Sequence, residues 1–72
     1  MVTPRMITIT ANGEVFTREE GITLPDFLVS LGFAPEQVVI ERNGDALTPT
    51  EVHSTCLEEG DQLEMVRIVA GG

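Results

Sequence analysis

Two glycines, Gly71 and Gly72, close the chain directly after a run of strand-forming residues. Leu63, Met65, Val66, Ile68 and Val69 all favour extended backbone. Side chains then dwindle through Ala70 to Gly71 and Gly72. Residues without a Cβ can enter a narrow channel and take backbone angles closed to other residues. From Val69 to Gly72 a fully extended tail reaches about 13 Å. That is enough to carry a terminal carboxylate into a partner's active site while the folded body stays outside. On this reading Gly72 supplies the reacting carboxylate, and Val69, Ala70 and Gly71 form the tail that enters the channel. A Gly-Gly end taken alone is equally well a plain frayed terminus. The strand immediately before it favours the chemical reading.

Other residues that could do chemistry are isolated. Cys56 is the one cysteine, which excludes an internal disulfide and any cysteine-rich metal or iron–sulfur site. It is expected to be a small buried residue. His53 has no cysteine or second histidine with which to hold a metal. Glu58, Glu59 and Asp61 read as a solvated turn, because calcium loops need a longer pattern of oxygen ligands. No acid–base pair or activated nucleophile emerges. The expectation is therefore no catalytic residue, no metal and no bound cofactor.

Seventy-two residues make one small domain. Its net stability is about 4–11 kcal/mol, which leaves little core for an enclosed small-molecule site. Twelve acids stand against four arginines and no lysine, a formal charge of −8. Such a chain repels nucleic-acid phosphates and anionic membranes. Its natural complement is a protein with a basic surface, although acidity also serves plain solubility. A lone cysteine suits a reducing compartment. There is neither a signal-peptide pattern nor a long apolar run. A soluble, cytoplasmic protein is expected.

The elements that must position the tail follow in order. Residues 1–5 read as a short leader, 6–69 as the folded domain and 70–72 as the tail. Met6–Thr10 alternates as a strand with Ile7 and Ile9 on one face. Asn12-Gly13 signals a hairpin, and Glu14–Thr17 returns. Thr23 is placed to cap a helix, with Pro25 in its first turn and Asp26 near the capping-box position. Leu24, Phe27, Leu28 and Leu31 make its apolar stripe, and Gly32 ends it. Phe33–Gln37 connects, with room for a 3₁₀ turn. Val38–Arg42 and Asp45–Leu47 flank a second hairpin turn at Asn43-Gly44. Thr48 to Leu57 reads as irregular, Glu58–Asp61 as a tight turn, and Gln62–Val69 as the last strand.

The order β-β-α-β-β-β is α+β. One helix needs a sheet face to cover, and the sheet needs the helix to close its core. A β-grasp arrangement meets both needs, with the first and last strands parallel at the centre of a mixed sheet. Val66 and Ile68 then face outward beside the tail and make a candidate partner-docking surface. Scattered exposed apolar residues are also common in any protein.

The run Val38-Val39-Ile40-Glu41-Arg42-Asn43-Gly44-Asp45-Ala46-Leu47-Thr48-Pro49, then Leu57-Glu58-Glu59-Gly60-Asp61-Gln62-Leu63-Glu64, then Val69-Ala70-Gly71-Gly72 resembles the ThiS-type ubiquitin-like sulfur carriers of bacterial thiamine biosynthesis. The resemblance covers about residues 6–72. Family members often carry a basic residue where this chain has Thr50 and an aromatic where it has His53. Both departures leave the terminal chemistry untouched and bear on which downstream synthase is served. The resemblance implies that a ThiF-like adenylating enzyme, using ATP and magnesium, activates Gly72. A sulfur donor then forms a thiocarboxylate, and a ThiG-like thiazole synthase receives the sulfur. Delivery to molybdopterin or another metabolite is the alternative within this class. A β-grasp module that binds partners without covalent chemistry is the alternative outside it.

Overall fold

The structure is a computed structural model and describes residues 3–68. The expectations placed on Val69, Ala70, Gly71 and Gly72 lie outside the described residues.

Five strands form one mixed sheet in the order β2-β1-β5-β3-β4. Strand β1 (Met6–Ala11) and β2 (Glu14–Glu19) form the first hairpin. Asn12 and Gly13 both take positive φ, 49° and 82°, the conformation of the tightest two-residue hairpin turn. Strand β2 runs two residues further than the sequence suggested, because Glu19 still pairs with Met6. Strand β3 (Val38–Arg42) and the two-residue β4 (Asp45–Ala46) form the second hairpin around Asn43 and Gly44. Strand β5 (Gln62–Arg67) enters between β1 and β3, parallel to the first and antiparallel to the second. This central parallel pair is the β-grasp arrangement.

Helix α1 (Leu24–Ser30) covers one face. The Thr23 hydroxyl accepts from the Asp26 N–H at 3.2 Å, as its N-cap position requires. At the other end Gly32 adopts φ +86°. There the Phe33 N–H donates to the Leu28 carbonyl and the Gly32 N–H to that of Val29, at 2.9 and 3.0 Å. That pair of bonds satisfies carbonyls the helix would otherwise leave open. Leu24, Phe27 and Leu28 are fully buried against Ile7, Ile9, Ile40, Leu63 and Met65. Leu31, the fourth member of the stripe, is only half-buried, because it is already the C-cap residue.

The stretch from Thr48 departs from expectation. It contains a second helix, α2 (Pro49–Ser54), where an irregular segment was expected. Thr48 and Glu51 form a complete capping box: the Glu51 N–H donates to the Thr48 hydroxyl, and the Thr48 N–H to the Glu51 carboxylate at 2.8 Å. That bond to the Thr48 backbone, followed by the hydroxyl contact, holds the Glu51 pKa below its ordinary value. Val52 is its buried residue and joins the core cluster, and α2 lies against α1.

Candidate functional site

What the fold does for the C-terminal end is to bring β5 out of the sheet centre with anchors on both sides. On one side five residue pairs join β5 to β3, ending with Val39↔Val66 and Val38↔Arg67. The Ile68 N–H then donates to the Gln37 carbonyl at 2.7 Å. On the other side β1 pairs only at Thr10↔Gln62 and Ala11↔Leu63 before the hairpin turns away.

Asn12 continues the ladder where β1 stops. Its backbone N–H donates to the Leu63 carbonyl at 2.9 Å. Its side-chain amide then imitates a peptide group. The Met65 N–H donates to Asn12 Oδ1 at 2.7 Å, and Asn12 Nδ2 donates to the Met65 carbonyl at 3.1 Å. Replacing Asn12 by Gly keeps the positive φ and removes only this clamp. The expected cost is about 1–2 kcal/mol, with faster hydrogen exchange at the Met65 amide than in the native chain. An unchanged Met65 exchange rate would mean that the side chain holds nothing.

Past the clamp the two faces of β5 diverge. Arg67 lies over the Phe33 ring at 5.0 Å from its centroid, a cation–π contact that ties the strand end to the connector after α1. Val66 faces solvent and is 66% exposed, and Ile68 is 54% exposed. Sequence reasoning missed Val39, which sits directly across from Val66 and is 50% exposed. Alternation along β3 was the signal that could have found it, since Val38 and Ile40 are buried. Val39 also joins Ile68 in a groove of about 230 Å³ with Pro35, Leu47, Pro49 and His53. The exposed apolar surface beside the tail is thus larger than Val66 and Ile68 alone.

The remaining candidates lie elsewhere. Cys56 is exposed, contrary to its expected burial. Its backbone bridges Thr23, and the neighbouring Leu57 takes the core position instead. With Arg5, Met6, Glu20 and Glu58 it lines an open groove at the end of the sheet where β1 begins, away from the exit of β5. Asp61 is not solvated as its turn composition suggested: it is 4% exposed. Its carboxylate accepts from Arg42 Nη2 at 2.9 Å and Nε at 3.1 Å, from Asn43 Nδ2 at 3.1 Å and from the Glu58 N–H at 2.8 Å. It clasps the second hairpin to the start of β5. Among the described residues no three histidine, cysteine or acidic side chains gather into a metal site. None of the described helices is long and apolar enough to cross a membrane.

Comparison with known proteins matches the ThiS family over residues 5–72. A crystal structure of the thiamine biosynthesis protein ThiS from Geobacter metallireducens superposes with a TM-score of 0.75 at 29% identity, covering 92% of this chain and 100% of that one. A designed protein based on human erythrocytic ubiquitin superposes with a TM-score of 0.56 at 23% identity, covering 93% and 95%; that likeness concerns the fold. A thiazole synthase of Magnetococcus marinus is 43% identical over 61 residues, which are 85% of this chain and 19% of that protein. The chain thus spans about a fifth of that relative's length. With the β-grasp sheet, the exposed exit of β5 and a family match that runs through Gly72, the chain belongs to the ThiS family of ubiquitin-like sulfur carriers associated with thiamine biosynthesis.

Proposed function

We propose that the chain carries sulfur on its C-terminal glycine for thiazole formation. The observation that carries this reading is the family match extending to Gly71-Gly72 on a strand anchored up to Ile68. A ThiF-like enzyme activates the Gly72 carboxylate with magnesium-ATP. The carboxylate oxygen attacks the α-phosphorus, pyrophosphate leaves, and an acyl-adenylate forms. A carboxylate is a poor electrophile, and the adenylate supplies AMP as a leaving group. Sulfide released by the sulfur donor then attacks the acyl carbon as HS⁻, the acyl–oxygen bond to AMP breaks, and the thiol acid loses its proton. The product is the thiocarboxylate. A ThiG-like thiazole synthase receives its sulfur. Support for that recipient comes from the Magnetococcus marinus thiazole synthase, in which a segment of one polypeptide is 43% identical to this chain.

No side chain of the carrier takes part in these steps. On this reading the carrier contributes only the Gly72 carboxylate and the folded domain that presents it. The absence of lysine means that no lysine amine of its own chain can attack the activated acyl group. The proposed place of action is the cytoplasm.

Incubation with the cognate adenylating enzyme, ATP and sulfide is expected to raise the intact mass by about 16 Da, the exchange of oxygen for sulfur in this reaction class. One alanine appended after Gly72 should prevent the gain. A module that only binds would gain no mass in either form.

A further inference from the structure

The exposed face of the sheet combines two features that are unfavourable in the isolated protein. The first is the Val39–Val66 cross-strand pair, apolar and open to solvent. The second lies in the next outward-facing row, where Glu41 stands directly across from Glu64. Both glutamates are exposed, and like charges directly opposite across strands are destabilising. On its other side Glu41 faces Ala46, so no basic side chain stands beside it on β4.

The arginines that could neutralise these carboxylates are engaged elsewhere. Arg5 pairs with Glu20. Arg18 lies over the Phe16 and Phe27 rings at 5.4 Å from each centroid. Arg42 is held by Asp61 and Glu58. Arg67 stacks on Phe33. Among the described residues neither Glu41 nor Glu64 forms a salt bridge.

We infer that Val39, Val66, Glu41 and Glu64 form one docking surface, and that its occupant is a basic side chain flanked by an apolar one on the enzyme that adenylates Gly72. This rests on the carrier reading. The choice of occupant follows from charge and reach. An enzyme that holds ATP must place positive charge and magnesium around the triphosphate. The tail after Ile68 spans only about 13 Å, so the face beside its root sits close to that positive site. An arginine or lysine placed between Glu41 and Glu64 would relieve their repulsion. Val39 and Val66 would be covered by the same contact. Complementary charge of this kind speeds association and makes it depend on salt.

The test uses the full chain and the adenylating enzyme, with association rates measured from low to high salt. The Glu41→Gln/Glu64→Gln variant is expected to fold at least as stably as the native chain. It should associate roughly tenfold more slowly at low salt, with a shallower salt dependence. Val66→Ser should instead raise the dissociation rate and leave the salt dependence alone. At saturating carrier both variants should still gain the thiocarboxylate mass. Unchanged association and salt dependence in the double variant would overturn the assignment. So would a concentration-dependent dimer of the native chain that the variants abolish, or a loss confined to thiazole synthase binding. If the native chain gains no mass at all, it is the carrier reading that fails, whatever the association rates show.

Discussion

Gly71→Val is expected to leave the protein folded and docked but unreacted. The substitution adds a β-branched side chain to a tail that must pass a narrow channel, and it narrows the backbone angles available there. Misplacing a reacting group by about 1 Å costs about 100-fold in rate, and a branched side chain in a tight channel displaces Gly72 by at least that much. ATP–pyrophosphate exchange supported by the variant should therefore fall about 100-fold or more. Calorimetric binding to the same enzyme should change by no more than about 0.5 kcal/mol, because the exposed face of β5 is untouched. The pairing separates chemistry from recognition. Normal exchange by Gly71→Val would mean that the paired glycines serve some purpose other than slimness.

The second large effect concerns stability. Asp61→Ala removes a buried carboxylate that accepts from Arg42, Asn43 and Glu58, leaving those donors without it. Breaking such a pair typically costs about 3–5 kcal/mol, against about 4–11 kcal/mol for a whole domain of this size. Urea unfolding at neutral pH should show the variant less stable than the native chain by an amount of that order. The effect should also depend on pH. Burial pushes the Asp61 pKa up, but the Glu58 N–H, the Asn43 amide and Arg42 together outweigh it and hold the pKa below the ordinary aspartate value of 3.8. With a folded pKa lower than the unfolded one, the carboxylate contributes stability above that value. The contribution is lost as pH falls through the lowered pKa. Stabilities of the native chain and Asp61→Asn should therefore differ by a constant amount above about pH 3.8 and converge as the pH falls below it. Parallel curves over the whole range would show that the charge of Asp61 is not what holds the clasp.

Local signals in the sequence predict the local structure well. Asn12-Gly13 and Asn43-Gly44 state their turns outright, since both asparagines must take positive φ. Thr23, Pro25 and Gly32 mark the ends of α1. The central parallel pairing of β1 and β5 follows from the number and order of elements. The second helix could also have been predicted: Thr48-Pro49-Thr50-Glu51 is a capping box with proline at the first helical position. Its single turn and a half of mostly polar residues hid the signal, because only Val52 is buried and one apolar residue has no period.

What stayed out of reach depends on pairs distant in the chain. Asn12 and Met65 are separated by 53 positions, and nothing in an Asn-Gly turn says that the side chain will stand in for a strand. Asp61 looked like one more acid in an acidic turn. Only folding brings Arg42 and Asn43 against it. For the candidate site, Val66 and Ile68 were accessible through alternation along β5, whereas Val39 needed the register of β3 against β5. Cys56 was misplaced because the run around it has no regular period, and its direction is set by the backbone bridge to Thr23.

The double anchoring of β5 also has a mechanical meaning. A partner that draws the tail into a channel pulls along the strand axis. The hydrogen bonds to β1, to the Asn12 side chain and to β3 lie across that axis. Tension on the tail therefore loads them together in shear and cannot peel them off one at a time. A strand at the edge of the sheet would carry the same pull on the hydrogen bonds of a single neighbour. Set between two neighbours, β5 lets the carrier be tugged by its end and keep its shape.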